Sequence, residues 1–272
     1  MRPDVLRFLS CPACGGSLDQ TAPVAPETED SDLCCAPCGR GWHVRSGIPD
    51  LTFPDELQEQ EARSRTLWNQ IARLYDGINL FTGVLRGVSV REERRELISR
   101  LGLGPGSAVL EVAAGTGSNL TLRTEEVGEN GIVFGLDLSA RMLDLARRKV
   151  KDLPQPPQLV SGNSQYLPFP DGVFDAVLDG AGIKYYSDKR RALREMLRVV
   201  KPGGKVLITE LGMPSDKKPT LRQRMLLLWI PGFREGPPLD AVPSEATDVR
   251  LDWDPGETFF ALEFRRPSER GG

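Results

Sequence analysis

The chain of 272 residues contains one histidine, His43, and no cysteine beyond Cys38. Mechanisms that need an imidazole base or a thiolate nucleophile therefore have no source for either in residues 44–272. Long apolar runs are missing too. None approaches the roughly 20 residues of a membrane span, and the opening MRPDVLRFLSCPAC lacks the apolar stretch of about 7–15 residues that marks a secretory signal. A soluble, cytoplasmic protein is expected. A cationic excess is also absent: 35 Lys and Arg stand against 38 Asp and Glu, a net charge of −3. The first 50 residues hold four Arg against seven acids, so the deficit lies there and the remainder balances at 31 against 31. That distribution disfavours nucleic acid as a partner, apart from a local cluster at Arg86, Arg91, Arg94, Arg95 and Arg100. What is present, 39% hydrophobic residues, suffices for one full core and a small accessory unit.

All five cysteines lie between positions 11 and 38. Cys11-Pro-Ala-Cys14 and Cys35-Ala-Pro-Cys38 form two C-x2-C pairs separated by 20 residues, the spacing of a zinc ribbon in which four thiolates hold one tetrahedral ion. Glycines follow both pairs (Gly15, Gly16, Gly39 and Gly41), where a tight knuckle needs a residue without a Cβ. Two disulfides are the alternative, which a reducing compartment opposes. Cys34 is left as a spare thiol on a strand, and His43 is the one other side chain that could replace a cysteine ligand. Residues 21–32 (TAPVAPETEDSD) read as a polar, mobile hairpin tip. Four thiolates close the coordination sphere, so the expected zinc is structural and has no position for substrate. The segments CPACGGSL and CAPCGRGWHVRSGIPDL resemble the small zinc-ribbon domains fused to, or partnered with, some tRNA, rRNA and protein methyltransferases, over residues 5–53.

The organisation expected is a ribbon over 1–54, a helical cap over 55–104 and a main domain over 105–272. In the cap, Leu67, Ile71, Leu74 and Ile78 recur at three- or four-residue spacing, which predicts one helical face lying across another domain. A second helix near 89–101 ends at Gly102 and Gly104. From Ser107 apolar strands alternate with helical stretches (AVLEVAA, SNLTLRTEEV, IVFGLD, SARMLDLARRKV, PQLVSG, FDAVLDG, KRRALREMLRVV, KVLITEL), the pattern of an α/β fold with a mostly parallel sheet covered on both faces. A ligand is expected beyond the carboxyl ends of its central strands. A proline-rich stretch follows, and DVRLDW and TFFALEFR, joined by Asp254-Pro255-Gly256, read as a terminal antiparallel pair.

Val109 to Gly117 (VLEVAAGTG) is an apolar strand running into a glycine turn before a helix, and the glycines let the backbone approach a ligand. It is not G-x-G-x-x-G, because Ala113 and Leu120 stand where that fingerprint needs glycine, which argues against NAD. Twenty residues beyond Gly117, IVFGLD ends in Asp137, where a carboxylate can accept two hydrogen bonds from a ribose diol. The pattern points to a nucleoside cofactor without a phosphate.

LEVAAGTG, GLDLSARMLDLARRK, GNSQYLPFPDGVFDAV and LREMLRVVKPGGKVLITE, in this order, resemble the class I S-adenosylmethionine-dependent methyltransferases of the ubiquinone and menaquinone biosynthesis type, over about residues 65–211 plus the last two strands. The resemblance implies a Rossmann-like sheet with helices on both faces and a terminal antiparallel pair. It implies S-adenosylmethionine as cofactor, with Glu111, Ala113, Gly115 and Gly117 lining the methionine part and Asp137 holding the ribose. Leu138 and Met142 would flank the adenine, Asn163 and Ser164 meet its edge, Asp179, Gly180 and Ala181 form the floor beside the methyl group, and Tyr75 close over the cofactor. Family members usually carry Asp where Asn163 stands. The stretch between KVLITEL and DVRLDW is shorter and richer in proline than in relatives, so an open or unusual acceptor site is expected.

Methyl transfer is an in-line displacement, for which a protein mainly supplies alignment and a dry pocket. Without histidine or cysteine in the main domain, the residues favour an acceptor that is already nucleophilic: a phenolate, an enolate carbon or an amine. Asp179, Lys184, Tyr185, Tyr186 and Glu210 are the candidate catalytic assistants. Tyr185 and Tyr186 could instead be simple packing, and Met225 to Ile230 (MLLLWI) reads as a buried helix face before it reads as a membrane contact. Arg190, Arg191, Arg194 and Arg198 read as a solvated helix face. The function expected is methyl transfer to a small or medium-sized organic acceptor. The rivals are an rRNA or tRNA methyltransferase gripping RNA through the ribbon, and a catalytically silent scaffold.

Overall fold

The computed structural model describes residues 3–20, 31–230 and 232–268. Most of the hairpin tip expected over 21–32 lies outside them. A short helix, α1 (Pro3–Leu6), precedes four strands, β1 (Leu18–Gln20), β2 (Ser31–Cys35), β3 (Gly41–Arg45) and β4 (Ile48–Pro49), paired antiparallel in that order. In β3 the alternation is strict, Trp42 and Val44 inward and Gly41, His43 and Arg45 outward, so one face of this small sheet is apolar and must be covered.

Three helices follow, α2 (Glu59–Ile71), α3 (Tyr75–Arg86) and α4 (Val90–Arg100). The continuous apolar face expected over Leu67, Ile71, Leu74 and Ile78 is not formed. A single 3-10 turn at Ala72–Leu74 separates α2 from α3 and changes the helical phase, leaving Leu67, Leu74 and Ile78 exposed. What anchors α2 instead is polar: Asn69 Oδ1 accepts from Ser139 Oγ at 2.7 Å, and Gln60 Nε2 donates to the carbonyl oxygens of Lys184 and Tyr186.

The main sheet is built from β5 (Ala108–Val112), β6 (Ile132–Asp137), β7 (Gln158–Ser161), β8 (Phe174–Gly180), β9 (Val200–Leu211), β10 (Thr247–Trp253) and β11 (Phe259–Arg265), in the order β10-β11-β9-β8-β5-β6-β7. β5 to β9 pair parallel with one another, and β11 adds antiparallel to β9 and β10 antiparallel to β11 at one edge, as expected from the sequence. The intervening helices are α5 (Leu120–Val127), α6 (Ala140–Val150), α7 (Lys189–Val199) and α8 (Leu221–Trp229). All five residues of β5 are buried, which is why its sequence is a continuous apolar run broken only by Glu111. Its carboxyl end meets that of β8 on one side and β6 on the other, and this is where the site forms.

The ribbon packs into the same core as the sheet. Val5, Leu9, Leu18, Leu33, Trp42, Val44 and Leu51 belong to one buried cluster with Phe134, Phe169 and Phe174. Phe8 lies 5.4 Å from Phe134 and 6.3 Å from Phe174, centroid to centroid. Beyond β4 the chain runs along the outer edge of β7: Asp50 bridges to Ser161 in parallel, and Leu51 N–H donates to the Ser161 carbonyl at 2.8 Å.

Arg190, Arg191 and Arg194 are exposed on α7, as expected of a solvated face, but two arginines of that face and two of the 86–100 cluster also make structural contacts. Arg191 stacks on Tyr166 at 3.8 Å, and Arg198 donates to Glu195, Asp171 and the carbonyls of Leu167 and Phe169, binding α7 to the preceding loop. Arg86 is buried between Glu93, Asp254 and Thr258, and Arg100 pairs with Asp252 and Glu263. The cationic cluster expected over 86–100 is therefore partly neutralised.

Candidate functional site

The chain turns sharply where β5 ends. Ala113, Gly115 and Gly117 have φ of +52°, +55° and +72°, a left-handed path in which an alanine is held at a cost of about 1 kcal/mol. Gly117 is required for another reason: a Cβ there would stand 2.9 Å from the Ala146 Cβ of α6. The turn is fixed by Asp137 at the tip of β6. Its Oδ2 accepts from Gly115 N–H and its Oδ1 from Ser139 N–H, both at 2.8 Å. Each oxygen retains a lone pair, so the carboxylate can still accept two hydrogen bonds. Burial pushes its pKa up to about 6, against the opposing effect of those N–H groups.

A cleft of about 660 Å³, its open mouth included, lies over this turn. Of the expected cofactor-binding residues, Tyr75, Ala113, Gly115, Asp137, Leu138, Met142, Asn163, Ser164, Gly180 and Ala181 line it. Glu111, Gly117 and Asp179 do not. Glu111 sits behind the turn, 1% exposed, with Oε1 accepting from Asn119 Nδ2 at 2.8 Å and Oε2 paired with the fully buried Arg123. Asp179 is also fully buried: Tyr186 Oη donates to its Oδ2 and Gly182 N–H to its Oδ1, both at 2.6 Å. Burial lifts the Asp179 pKa to about 7, and burial together with the Asp179 charge holds the Tyr186 hydroxyl well above its ordinary value. Asn163 Oδ1 accepts from Gln165 N–H at 3.0 Å.

The sequence reading missed the part of the wall supplied by α2: Glu61, Ser64, Arg65 and Trp68. Trp68 meets Tyr75 and Tyr185 edge-on, with centroids 5.5 Å and 5.3 Å apart. Three aromatic rings thus gather at one end of the cleft, an arrangement that favours a cationic group. The only sequence signal for this was Trp68 and Tyr75 seven residues apart.

Among the catalytic candidates, Tyr185 and Tyr186 line the cleft. Lys184 and Glu210 pair with each other behind the cleft: the Nζ lies 3.5 Å from Glu210 Oε1 and also donates to the Leu211 carbonyl, while Glu210 Oε2 has no hydrogen-bond partner. Burial raises the Glu210 pKa despite the Lys184 charge.

Behind Tyr75, Gly180 and Ala181 lies a second cavity of about 700 Å³, open mouth included, which these three residues share with the first. Leu97, Ile98, Leu178, Leu211 and Phe259 give it apolar walls, and Asn79, Thr82 and Thr209 are polar groups on its lining. Its charges are paired with one exception. Arg86 is matched by Glu93 and Arg123 by Glu111, but Arg94 has no ion pair or hydrogen bond among the described residues.

The ribbon forms a separate polar cluster. The Sγ atoms of Cys11, Cys14, Cys35 and Cys38 all lie within 4.8 Å of one another, with 3.8 Å between Cys11 and Cys38 and 3.4 Å between Cys14 and Cys35. A tetrahedral zinc with Zn–S of about 2.3 Å needs sulfurs about 3.8 Å apart, so the four thiols fit the ion. Gly15 and Gly39 take the left-handed turns of the two knuckles, at φ +76° and +70°. Burial pushes the Cys35 thiol up to about 12, whereas the Arg40 backbone N–H lowers that of Cys38 to about 7. Ionising all four together at neutral pH requires a cation between them. His43 is not in this cluster; its Nδ1 lies 2.7 Å from Asp32 Oδ1 on the outer face.

Fold and cleft together define a class I methyltransferase-type α/β protein, with a nucleoside-sized cleft over the end of β5 and no phosphate-binding glycine fingerprint. The profile of the "ubiE/COQ5 methyltransferase family" matches residues 56–225, more than half of the chain. The chain belongs to that family. It is 37% identical over 159 residues to demethylmenaquinone methyltransferases of Bacillus cereus and Anoxybacillus flavithermus, covering 58% of this chain and 66% of each relative, just under two thirds of their length. Among solved structures it is similar to the cyclase SpnF (TM-score 0.53, 16% identity, 74% of this chain and 96% of that one). It is also similar to geranyl diphosphate C-methyltransferase from Streptomyces coelicolor (TM-score 0.51, 16% identity, 65% and 79%). At such identities the likeness is one of fold.

Proposed function

We propose that the chain transfers a methyl group from S-adenosylmethionine to a quinone-like small molecule, with the cofactor in the first cleft and the acceptor in the second. The observation that carries this reading is that Tyr75, Gly180 and Ala181 line both cavities, so that a ligand in each would lie against the same three residues. The family and the demethylmenaquinone methyltransferases to which the chain is similar support the same class of acceptor.

Bound S-adenosylmethionine supplies an electrophilic methyl group. Asp137 is placed to hold a ribose diol through its two remaining lone pairs. Trp68, Tyr75 and Tyr185 offer ring density to a sulfonium, and Leu136, Leu138 and Met142 give an apolar bed that excludes water. Asp179, Lys184 and Glu210 lie outside the lining of both cavities; of the carboxylates on the first wall, Asp137 holds two backbone N–H groups and Glu61 holds Gln165 and Ser187 through Oε1, while among the described residues lining the second cavity Arg94 is the unpaired charge. An arginine so placed favours an acceptor entering as a phenolate or enolate and disfavours a protonated amine, which makes alignment of a ready nucleophile the main contribution of the protein. Cys11, Cys14, Cys35 and Cys38 would hold a structural zinc, leaving no coordination position for chemistry.

Calorimetry with S-adenosylhomocysteine, followed by labelled-methyl transfer to reduced naphthoquinones, tests the proposal. Saturable cofactor binding with label in the naphthol ring is expected. No cofactor binding at about millimolar ligand would remove the enzyme reading, and binding without transfer to any phenol would remove the acceptor class.

A further inference from the structure

The outer faces of α3 and α8 are apolar and uncovered. Leu80, Phe81 and Val84 on α3, and Leu221, Met225, Leu228 and Trp229 on α8, are all exposed, Leu228 at 84% and Trp229 at 70%. The two helices touch, and Phe81 and Trp229 meet edge to face with centroids 6.5 Å apart, so the side chains make one patch across both. In α8 Gln223 and Leu226 turn inward and Leu221, Met225 and Leu228 outward, at three- and four-residue spacing. The run 225–230, expected as a buried helix face, buries only Leu226 fully. Patches of this kind on a soluble chain mark an interaction site.

Charge identifies the occupant. Residues 214–236 hold Lys217, Lys218, Arg222, Arg224 and Arg234 against Asp216 and Glu235, a net of +3 in a chain whose total is −3. Lys218, Arg224 and Arg234 are exposed and have no ion pair among the described residues. A second copy of the chain laid face to face would oppose two such segments. An anionic lipid surface accepts both the apolar side chains and the cations. No described helix is long and apolar enough to cross a membrane, and α8 has nine residues, so the contact is with the interface only.

We propose that the α3–α8 face docks on bilayers containing anionic lipid. The inner face of α3 carries Tyr75, Asn79 and Thr82 of the second cavity, so docking sets the wall of that cavity against the lipid.

Co-sedimentation of the full chain with sucrose-loaded vesicles tests this, comparing phosphatidylcholine alone with a mixture containing about one quarter phosphatidylglycerol. At least tenfold tighter binding to the anionic vesicles is expected. The double variant Leu228→Ser, Trp229→Ser should lose about tenfold or more on those vesicles, while its melting temperature, read alongside, stays near that of the parent because both side chains are exposed. Arg224→Gln should reduce the preference for the anionic lipid and flatten the salt dependence. Absence of binding at about millimolar lipid overturns the proposal, as does equal binding by the double variant. A concentration-dependent dimer broken by the same substitutions also overturns it, by assigning the face to a second copy.

Discussion

Acidification should weaken the grip on the nucleoside through one carboxylate. Asp137 spends one lone pair of each oxygen on Gly115 and Ser139, and the two that remain are those available to a ribose diol. Its pKa in the free protein is raised to about 6 by burial, so at about pH 5 roughly one molecule in ten retains the charged form. Ribose binding selects that form. The affinity for S-adenosylhomocysteine should therefore be flat above about pH 7, fall by about tenfold per unit below 6, and be about tenfold lower at pH 5, equivalent to about 1.4 kcal/mol. Asp137→Asn has one acceptor oxygen and turns an N–H₂ toward a backbone donor. Losing a charge-assisted hydrogen bond of about 1.5–3 kcal/mol, it should bind about 10- to 150-fold more weakly near pH 7.5 and lack the acid limb assigned to Asp137. The linkage has the opposite sign for folding: because the folded pKa lies above the unfolded value of 3.8, the contribution of Asp137 to stability is full below about pH 4 and is lost as pH rises through 6. Titration calorimetry across pH 5–8 is the assay. Equal affinity at both ends for the parent, or an unchanged acid limb in Asp137→Asn, would refute the reasoning.

Chelating the zinc proposed for the four thiolates, or Cys35→Ser, should lower the melting temperature of the whole chain in one transition, since the ribbon and the sheet share a core; calorimetry showing two separated transitions would contradict that continuity. Arg123→Met leaves the Glu111 carboxylate buried with only Asn119 as partner, and should cost about 3–5 kcal/mol in urea unfolding, most of it recovered in the double variant with Glu111→Leu. An unaltered midpoint for the single variant counts against the pair. Ala181→Gly, relieving φ of +73°, should raise stability by about 0.5–1 kcal/mol, and a lowered midpoint counts against strain at that residue.

The strands were legible because each parallel strand is buried on both faces and reads as a short apolar run, and FDAVLDG is β8 residue for residue. Asp137 was legible because strand length fixes its place at the tip. The cap was not. Nothing between Ile71 and Tyr75 is a helix breaker in sequence, yet the 3-10 turn there changes the phase of α3 relative to α2, so that Tyr75 meets Trp68 of α2 at the cleft while Leu74 and Ile78 are exposed. Glu111 was misplaced for a related reason. Its partner Arg123 lies twelve residues on, across a turn whose path depends on tertiary packing, and that pairing draws the carboxylate away from the cleft wall.

An open sheet has two outer strands, each offering unpaired backbone groups to any neighbouring molecule. At one end, β10 presents Asp248, Arg250 and Asp252, whose charges deter such pairing. At the other, the edge of β7 is covered by the chain leaving the ribbon, through Asp50 and Leu51. Loss of the metal proposed for the four thiolates would loosen that cover first, so its early symptom should be self-association along β7, next to the Gly162–Ser164 wall of the cleft.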